Sequence, residues 1–282
     1  MAIWHYYAIL TVLAGSVSSI VLRTLMKKEE SDPILFTIVF QFTLTIVVLI
    51  YALVMGFEFP PPSFLWPRLL LSALLYAVGS LCNFYSSRHL PAGENSILTA
   101  SGILITVGLG VTVLGNSFSI FKAIGVVLIL ISVLILYGGG RMKINKGVLY
   151  ALGVAVFYSL AVINDVIIIR SYNPISFVPV MSFLPGLVLI LLFPRKAIKI
   201  KKLMNRKSLS HVIVYSIFYG ISAIAYYQAL YAGASISQLS PISRASIITT
   251  VILGALFLGE RDHLNRKILS AVLVSVGVFL LA

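Results

Sequence analysis

Residues 106–115 read TVGLGVTVLG, and residues 250–259 read TVILGALFLG. Six of these ten positions are identical, at an offset of 144 residues in a chain of 282. At the same offset, Ser96 matches Ser240 and Ile103 matches Ile247. A repeat of about half the chain length is typical of a duplicated membrane bundle, in which the ligand site commonly lies between the halves. The repeat therefore makes transport the first functional hypothesis.

The composition indicates that most of this chain lies in lipid. Hydrophobic residues make up 60% of it, charged residues 10%, and the mean hydropathy is +1.05. Soluble domains carry about 25% charged residues. With one cysteine and four dispersed histidines, the chain lacks a ligand pattern for a metal, so we expect neither a metal nor another cofactor. The net charge of +13 lies between apolar segments, which favours membrane lipid headgroups as partners over nucleic acid.

Segments of about 20 apolar residues predict an all-α integral membrane protein with ten transmembrane helices. The predicted spans are Tyr6–Leu25, Ile34–Met55, Arg68–His89, Ala92–Leu114, Ser119–Tyr137, Gly147–Ile169, Ile175–Phe193, His211–Tyr231, Ile236–Leu258 and Arg266–Leu281. A Gly-rich and basic linker at residues 138–146 divides them into two five-helix repeats, residues 1–137 and 147–282. Because five is odd, the second repeat enters the membrane inverted.

The basic residues predict the orientation of the chain. Seventeen Lys and Arg residues lie in or beside odd-numbered loops, and three lie in even-numbered loops: Arg68, Lys122 and Arg170. Cytoplasmic loops are enriched in Lys and Arg. We therefore expect a multi-pass protein of the cell membrane with odd-numbered loops in the cytoplasm and both termini outside.

The second half resembles the EamA domain of the drug/metabolite transporter superfamily. The resemblance is carried by AYYQALY at residues 225–231, SISQLSPI at 235–242 and LFLGER at 256–261. The first half carries a weaker version, with Asn116 in place of Glu260. The resemblance implies a ten-helix inverted-repeat bundle that exports small metabolites by alternating access, with spans four and nine near the pseudo-two-fold axis and spans five and ten at the periphery. Relatives are generally thought to have cytoplasmic termini, which differs from the orientation that the charges predict.

Arg244 is the one basic residue placed well inside a predicted span. A charged side chain at the membrane centre costs roughly 2.5–3.5 kcal/mol on insertion scales, so it tends to face a partner or a hydrated cavity. A guanidinium in the cavity would bind a carboxylate or phosphate of the substrate. The alternative is a structural ion pair or a side chain that snorkels to the membrane surface.

Two acidic residues are candidates for coupling transport to protons. Asp165 lies late in span six, where it could titrate, form the counter-ion of Arg244, or cap a helix end near the interface. Glu94 opens span four, where a structural role is favoured over coupling, because a Glu in the first turn suits the helix dipole and could pair with Arg88. Glu260, beside Arg261, is interpreted as a structural residue that ties a loop at the membrane surface.

Uncharged polar residues within spans complete the predicted substrate site. The candidates are Gln41, Asn83, Tyr227, Gln228 and Gln238, the last of which is the repeat counterpart of Glu94. Each of them could instead form an ordinary interhelical hydrogen bond. Pro241 removes a backbone hydrogen bond inside span nine, so it predicts either a free carbonyl in the cavity or a tolerated kink.

These patterns favour a secondary transporter of a small metabolite, such as an amino acid or a related compound. The chain has no phosphate-binding loop for ATP, and its spans carry no cluster of catalytic side chains, so we expect no enzyme. The first span has no carboxylate, which disfavours a drug exporter built like the small multidrug-resistance proteins. A non-transporting scaffold or a lipid-handling protein is the alternative. The oligomeric state is not predicted.

Overall fold

A computed structural model gives the architecture of the chain. It describes residues 3–27, 32–60, 65–112, 119–137, 145–169, 171–200, 206–234, 239 and 242–281. Within these ranges the regular structure is helical, without strands. The helices are α1 (Ile3–Met26), α2 (Pro33–Val54), α3 (Leu65–His89), α4 (Ala92–Ala100), α5 (Gly102–Thr112), α6 (Ile120–Tyr137), α7 (Lys146–Ile168), α8 (Pro174–Leu192), α9 (Pro194–Ile198), α10 (Arg206–Tyr231), α11 (Ser246–Phe257) and α12 (Leu264–Leu281).

These helices confirm the predicted fold class. Eight helical segments are long and apolar enough to cross a membrane, with α4 and α5 counted together, and two shorter apolar helices cover Ile120–Leu136 and Ile242–Phe257. Together they correspond to the ten predicted spans. The short α9 follows span seven and lies in the basic loop.

Local capping chemistry fixes where several spans begin. The Asp32 side chain accepts hydrogen bonds from the backbone N–H groups of Ile34 and Leu35, and Pro33 occupies the first helical position. Asn145 caps α7 through Val148 N–H at 3.0 Å. Such caps satisfy N–H groups that have no partner within the helix, and proline is well suited to the first turn.

Spans four and nine were predicted as single helices, but each is interrupted, and the interruptions lie at equivalent positions. The α4–α5 break is at Ser101, and the break before α11 is at Ala245, which is 144 residues further along. The Ser101 N–H and hydroxyl both donate to Leu98 O, at 3.1 and 2.6 Å, which replaces regular helical bonding with a tighter turn. Both halves therefore carry a broken helix at the same point of the repeat.

The pairing of helices between the halves has two-fold symmetry. We call α1–α6 the first half and α7–α12 the second half. The contact of α3 with α7 has its counterpart in that of α10 with α1, and the contact of α2 with α10 has its counterpart in that of α8 with α3. Equivalent helices α2 and α8 also contact each other, as do α6 and α12. Each half contributes five spans, which is an odd number. A two-fold axis that exchanges the halves therefore relates helices that run in opposite directions through the membrane.

The α6–α12 pair packs at the edge of the bundle. A Cβ built on Gly125 would lie 2.6 Å from Gly277 O, and one built on Gly277 would lie 2.8 Å from Gly125 O. Small residues let two membrane helices approach closely in this way. Large apolar side chains on α6, such as Phe121 and Leu134, are exposed, so that face of the helix contacts lipid.

Candidate functional site

A cavity lies between the two halves of the bundle. Its volume is about 160 Å³. Helices α2 and α3 of the first half and α7, α8 and α10 of the second half form its walls. The lining residues are Phe40, Gln41, Leu44, Tyr76, Ser80, Tyr158, Phe177, Val178, Met181, Ser182, Tyr219 and Ala223.

The cavity lies near mid-length of the helices that form its walls. Its polar residues come from the central turns of their helices, as with Tyr76 in α3 (Leu65–His89), Tyr158 in α7 (Lys146–Ile168) and Tyr219 in α10 (Arg206–Tyr231). A site at mid-depth between two repeats is where inverted-repeat transporters hold their substrates.

Two linked hydrogen bonds run along the cavity wall, and the one between Ser80 and Tyr158 joins the halves. Gln41 Nε2 donates to Ser80 Oγ at 2.9 Å, and Ser80 Oγ lies 3.1 Å from the Tyr158 hydroxyl. The close approach of α3 to α7 depends on Gly79, because a Cβ there would lie 2.4 Å from a ring carbon of Tyr158. A larger residue at 79 would therefore displace one polar wall of the cavity.

Aromatic rings form much of the remaining wall. The centroids of Tyr76 and Tyr158 are 5.5 Å apart, and Phe40 meets Tyr219 edge-on at 5.4 Å. Such contacts hold rings in place beyond the effect of burial. The cavity thus combines apolar and aromatic surface with hydroxyl and amide groups, and the described residues that line it include no Asp, Glu, Lys or Arg.

Asp165 lies behind the Tyr76 wall of the cavity. Its carboxylate accepts hydrogen bonds from Ser72 Oγ at 2.6 Å and from the Tyr76 hydroxyl at 2.5 Å, and the residue is only 8% exposed. Within the described ranges, no basic nitrogen lies within 4.0 Å of it in an ion pair. Of the alternatives for Asp165, capping of a helix end does not match this geometry, because the side chain bonds sideways to Ser72 and Tyr76 on α3.

A second layer of polar groups surrounds this carboxylate. Asn164 Nδ2 donates to Ser72 Oγ and to Arg68 O, both at 2.8 Å, and Arg68 Nη1 donates to Asn164 Oδ1 at 3.2 Å. Ser72, Tyr76 and Ser80 were not among the predicted site residues. A signal was available, since Arg68, Ser72, Tyr76 and Ser80 recur every four residues and so share one face of α3.

The structure brings only part of the predicted substrate site together. Gln41 lines the cavity, whereas Asn83, Gln228 and Arg244 are not among its lining residues. Asn83 instead accepts a hydrogen bond from Asn95 at 3.3 Å near the end of α3. For Tyr227 the structure describes the helix but not the side chain, and Gln238 and Pro241 lie outside the described residues.

Arg244 lies beside the α10 wall of the cavity. The residue is exposed, and it interacts electrostatically with the phenol of Tyr226. Tyr226 follows the lining residues Tyr219 and Ala223 at helical spacing, so the three share a face of α10. Neither Asp165 nor another described carboxylate forms an ion pair with Arg244, and the predicted counter-ion pair is absent from this part of the chain.

Among the residues that the structure describes, three ion pairs join the halves on the side of the bundle that carries the odd-numbered loops, which we call the odd-loop side. Arg23 Nε lies 3.0 Å from Glu260 Oε1, Lys267 Nζ lies 3.1 Å from Glu94 Oε1, and Lys196 pairs with Asp32. The sequence suggested that Glu94 pairs with Arg88. In the structure Glu94 pairs with Lys267 on α12, because α4 packs against α12.

The Arg23–Glu260 pair belongs to a larger network. Arg23 Nη1 donates to the carbonyl oxygens of Ser87 and Arg88 at the end of α3, both at 2.9 Å. Glu260 Oε2 accepts from Ala92 N–H at the start of α4, at 2.8 Å. The expected structural role of Glu260 is realised through Arg23 of the opposite half, and not through its neighbour Arg261.

The opposite side of the bundle, the even-loop side, is held differently. Tyr172 donates to Glu58 O at 2.8 Å, and Glu58 N–H donates to Ser176 Oγ at 3.0 Å. Among the residues that the structure describes there, the halves are joined by hydrogen bonds and not by ion pairs. In the described part of the chain, the ion pairs between the halves therefore all lie on the odd-loop side.

Comparisons with known proteins agree with this geometry. The model of the EamA-like transporter family matches residues 2–138 and again residues 145–282. The chain belongs to the EamA-like transporter family. It is also similar to an uncharacterized transporter of Archaeoglobus fulgidus, with 25% identity over 214 residues that cover 76% of this chain and 74% of the relative.

A solved structure supports the fold alone. A crystal structure described only as that of a protein superposes with a TM-score of 0.66 at 15% identity, covering 98% of this chain and 94% of the other. Family and fold together identify a multi-pass membrane transporter whose substrate is a small molecule.

Proposed function

We propose that this EamA-family protein is a secondary transporter that moves a small metabolite by alternating access, and that the cavity between its halves is the substrate site. The observation that carries the proposal is the position of the cavity. It lies at mid-depth, and both repeats supply its polar groups, Gln41 and Ser80 from one and Tyr158 from the other. A relative movement of the halves would therefore remodel the site and its access together.

The distribution of ion pairs supports this mechanism. The pairs on the odd-loop side all cross between the halves, so they would close that side in the present conformation and break when it opens. Two of them, Arg23–Glu260 and Lys267–Glu94, are largely buried, so losing one partner would leave a poorly solvated charge. These pairs would act as a gate that rocking of the halves opens and closes.

The cavity lining favours a small amphipathic substrate. Aromatic and aliphatic side chains would bind an apolar body, and Gln41, Ser80 and Ser182 would bind polar groups. An amino acid or a related compound fits this description. Arg244, beyond the α10 wall, would bind an acidic group of such a substrate.

Proton coupling, direction and location complete the proposal. Asp165 is a buried carboxylate one hydroxyl away from the cavity, so it would bind and release the coupling proton. We propose export across the cell membrane, with the odd-numbered loops in the cytoplasm as the basic residues predict.

Counterflow in proteoliposomes tests the proposal. A thermal-shift screen of amino acids, nucleosides, sugars and organic acids would first provide a ligand, whose labelled form should exchange across vesicles. Ala223→Trp would fill the cavity and should abolish exchange. Leu71→Trp is the matched control, because Leu71 on α3 is 48% exposed and its ring would extend into lipid. A stabilising ligand that shows no counterflow would favour a scaffold or lipid-handling protein.

A further inference from the structure

Tyr76 belongs to two sites at once. Its side chain lines the cavity, and its hydroxyl donates to Asp165 Oδ2 at 2.5 Å. Ser72 bonds the other carboxylate oxygen but is not among the lining residues. Tyr76 is therefore the described contact through which a change at Asp165 reaches a ligand.

The hydrogen-bond pattern defines what Tyr76 offers to the cavity. While Asp165 is ionised it accepts both hydroxyl hydrogens, so Tyr76 turns only its oxygen lone pairs and its ring toward a ligand. When a proton from water binds to the carboxylate, the new O–H becomes a donor. The Tyr76 oxygen then accepts that hydrogen, and the tyrosine hydrogen is released toward the cavity.

The surrounding helices leave Asp165 as the group whose charge changes. From α3, Arg68 is bonded to Asn164 and Tyr76 to Asp165 itself, whereas Cys82, Tyr85, Arg88 and His89 lie further along the helix, toward the odd-loop side. Helices α5 and α8 carry no ionisable side chain, and the one on α4, Glu94, is paired with Lys267 on the odd-loop side. Tyr158, two turns earlier on α7, is bonded to Ser80.

The ionised state matches one class of ligand. It presents hydrogen-bond acceptors, the faces of several aromatic rings, and a negative charge one side chain away. An ammonium group is attracted by all three, and aromatic rings bind organic cations through their π faces. The protonated state presents a donor at the same point and no charge, so it disfavours the same group.

We propose that the substrate carries an amine or ammonium group, and that Tyr76 makes its binding compete with proton binding to Asp165. The proposal rests on the proposed transport function, to which it adds the chemical class of the substrate and the residue that couples substrate to proton. Because linkage is reciprocal, each ligand that binds expels a proton and each proton expels a ligand. Substrate would then move in exchange for a proton.

Calorimetric titration of the purified protein with benzylamine tests this proposal, with benzyl alcohol as a neutral ligand of the same shape. From mildly acidic to mildly alkaline pH, the affinity for benzylamine should rise about tenfold, within the usual range of coupling between sites. The affinity for benzyl alcohol should stay constant over the same pH range. Absence of benzylamine binding, a constant affinity, or an equal change for both ligands would overturn the proposal.

Three variants separate Tyr76 from its neighbours. Tyr76→Phe keeps the ring but loses the hydroxyl, so the pH dependence of benzylamine binding should shrink to the part that the Asp165 charge exerts directly. Asp165→Asn should remove the pH dependence entirely. Ser72→Ala removes the other bond to the carboxylate, so it should keep the pH dependence with a displaced midpoint. Gel filtration confirms that each variant is folded. A wild-type pH profile in Tyr76→Phe, or its loss in Ser72→Ala, would exclude Tyr76 as the link.

Counterflow distinguishes a failure of the Tyr76 relay from a failure of the proposed transport function. If benzylamine binding does not depend on pH but another metabolite still exchanges across vesicles, the Tyr76 relay is wrong and the transporter proposal stands. If no ligand exchanges, the proposed function itself is wrong.

Discussion

Arg244 illustrates how one side chain can be placed near a site without belonging to its wall. It sits beside Tyr226, one turn of α10 beyond the lining residue Ala223, and no described carboxylate neutralises it in an ion pair. A substrate with an amine near Tyr76 and an acidic group near Arg244 would use both. The guanidinium would then set the preference for acidic groups, and not the affinity for all ligands.

We therefore expect Arg244→Ala to abolish binding of a substrate that carries a carboxylate or phosphate, while membrane insertion stays intact. Arg244→Lys should keep part of the affinity, because it retains the charge but loses the planar donor fork. The measurement is counterflow of the identified substrate together with its amide or ester. Normal transport in Arg244→Ala would remove this residue from the site.

At the scale of helices, close packing depends on small residues at a few defined positions. The α6–α12 pair has such a contact at Gly125, where a Cβ would lie 2.6 Å from Gly277 O and 3.0 Å from Leu281 Cγ. Gly108 on α5 is the opposite case, because its added Cβ would meet nothing within 4 Å. The two glycines therefore form a matched pair for testing the packing.

Gly125→Ala should destabilise the protein by about 1–3 kcal/mol, the usual range for an overpacked contact. Gly108→Ala should be neutral or slightly stabilising, since alanine favours the helix over glycine. Thermal unfolding of both variants in detergent measures the difference. Equal melting temperatures would show that α6 and α12 pack less tightly than the structure describes.

At the scale of the whole molecule, the proposed gate consists of charge pairs between the halves. The Glu94–Lys267 pair is suited to a test because it joins α4 to α12, and because the Lys267 side chain is only 4% exposed. Removing one partner of a buried pair typically costs about 3–5 kcal/mol, since the other charge is left without compensation. Loss of the Glu94–Lys267 pair should destabilise in particular the conformation that is closed on the odd-loop side.

Glu94→Gln should lower both the melting temperature and the transport rate, because the gate on the odd-loop side no longer closes fully. The double variant Glu94→Lys with Lys267→Glu restores opposite charges and should recover part of both. A double-mutant cycle on stability and counterflow gives the coupling. No recovery in the double variant, with both single variants impaired, would indicate that these residues do not act as a gate pair.

Most of the fold could be predicted from sequence because the membrane allows few solutions. A backbone in lipid must satisfy its own hydrogen bonds, so each apolar segment of sufficient length becomes a helix. The repeat at an offset of 144 residues also predicted that the two halves are related to each other. The helix breaks at the equivalent residues Ser101 and Ala245 were not predicted. These breaks depend on local bonding that apolar periodicity does not reveal.

The sequence by itself determined that this chain forms ten membrane helices in two related halves, and it pointed to Gln41 and Asp165 as polar residues inside them. Only the tertiary structure decided that Asp165 meets Tyr76, that Glu94 meets Lys267, and that Asn83 lies away from the cavity. The reason is physical. Hydropathy depends on each segment alone, whereas the partner of a buried polar group depends on which helix packs against it.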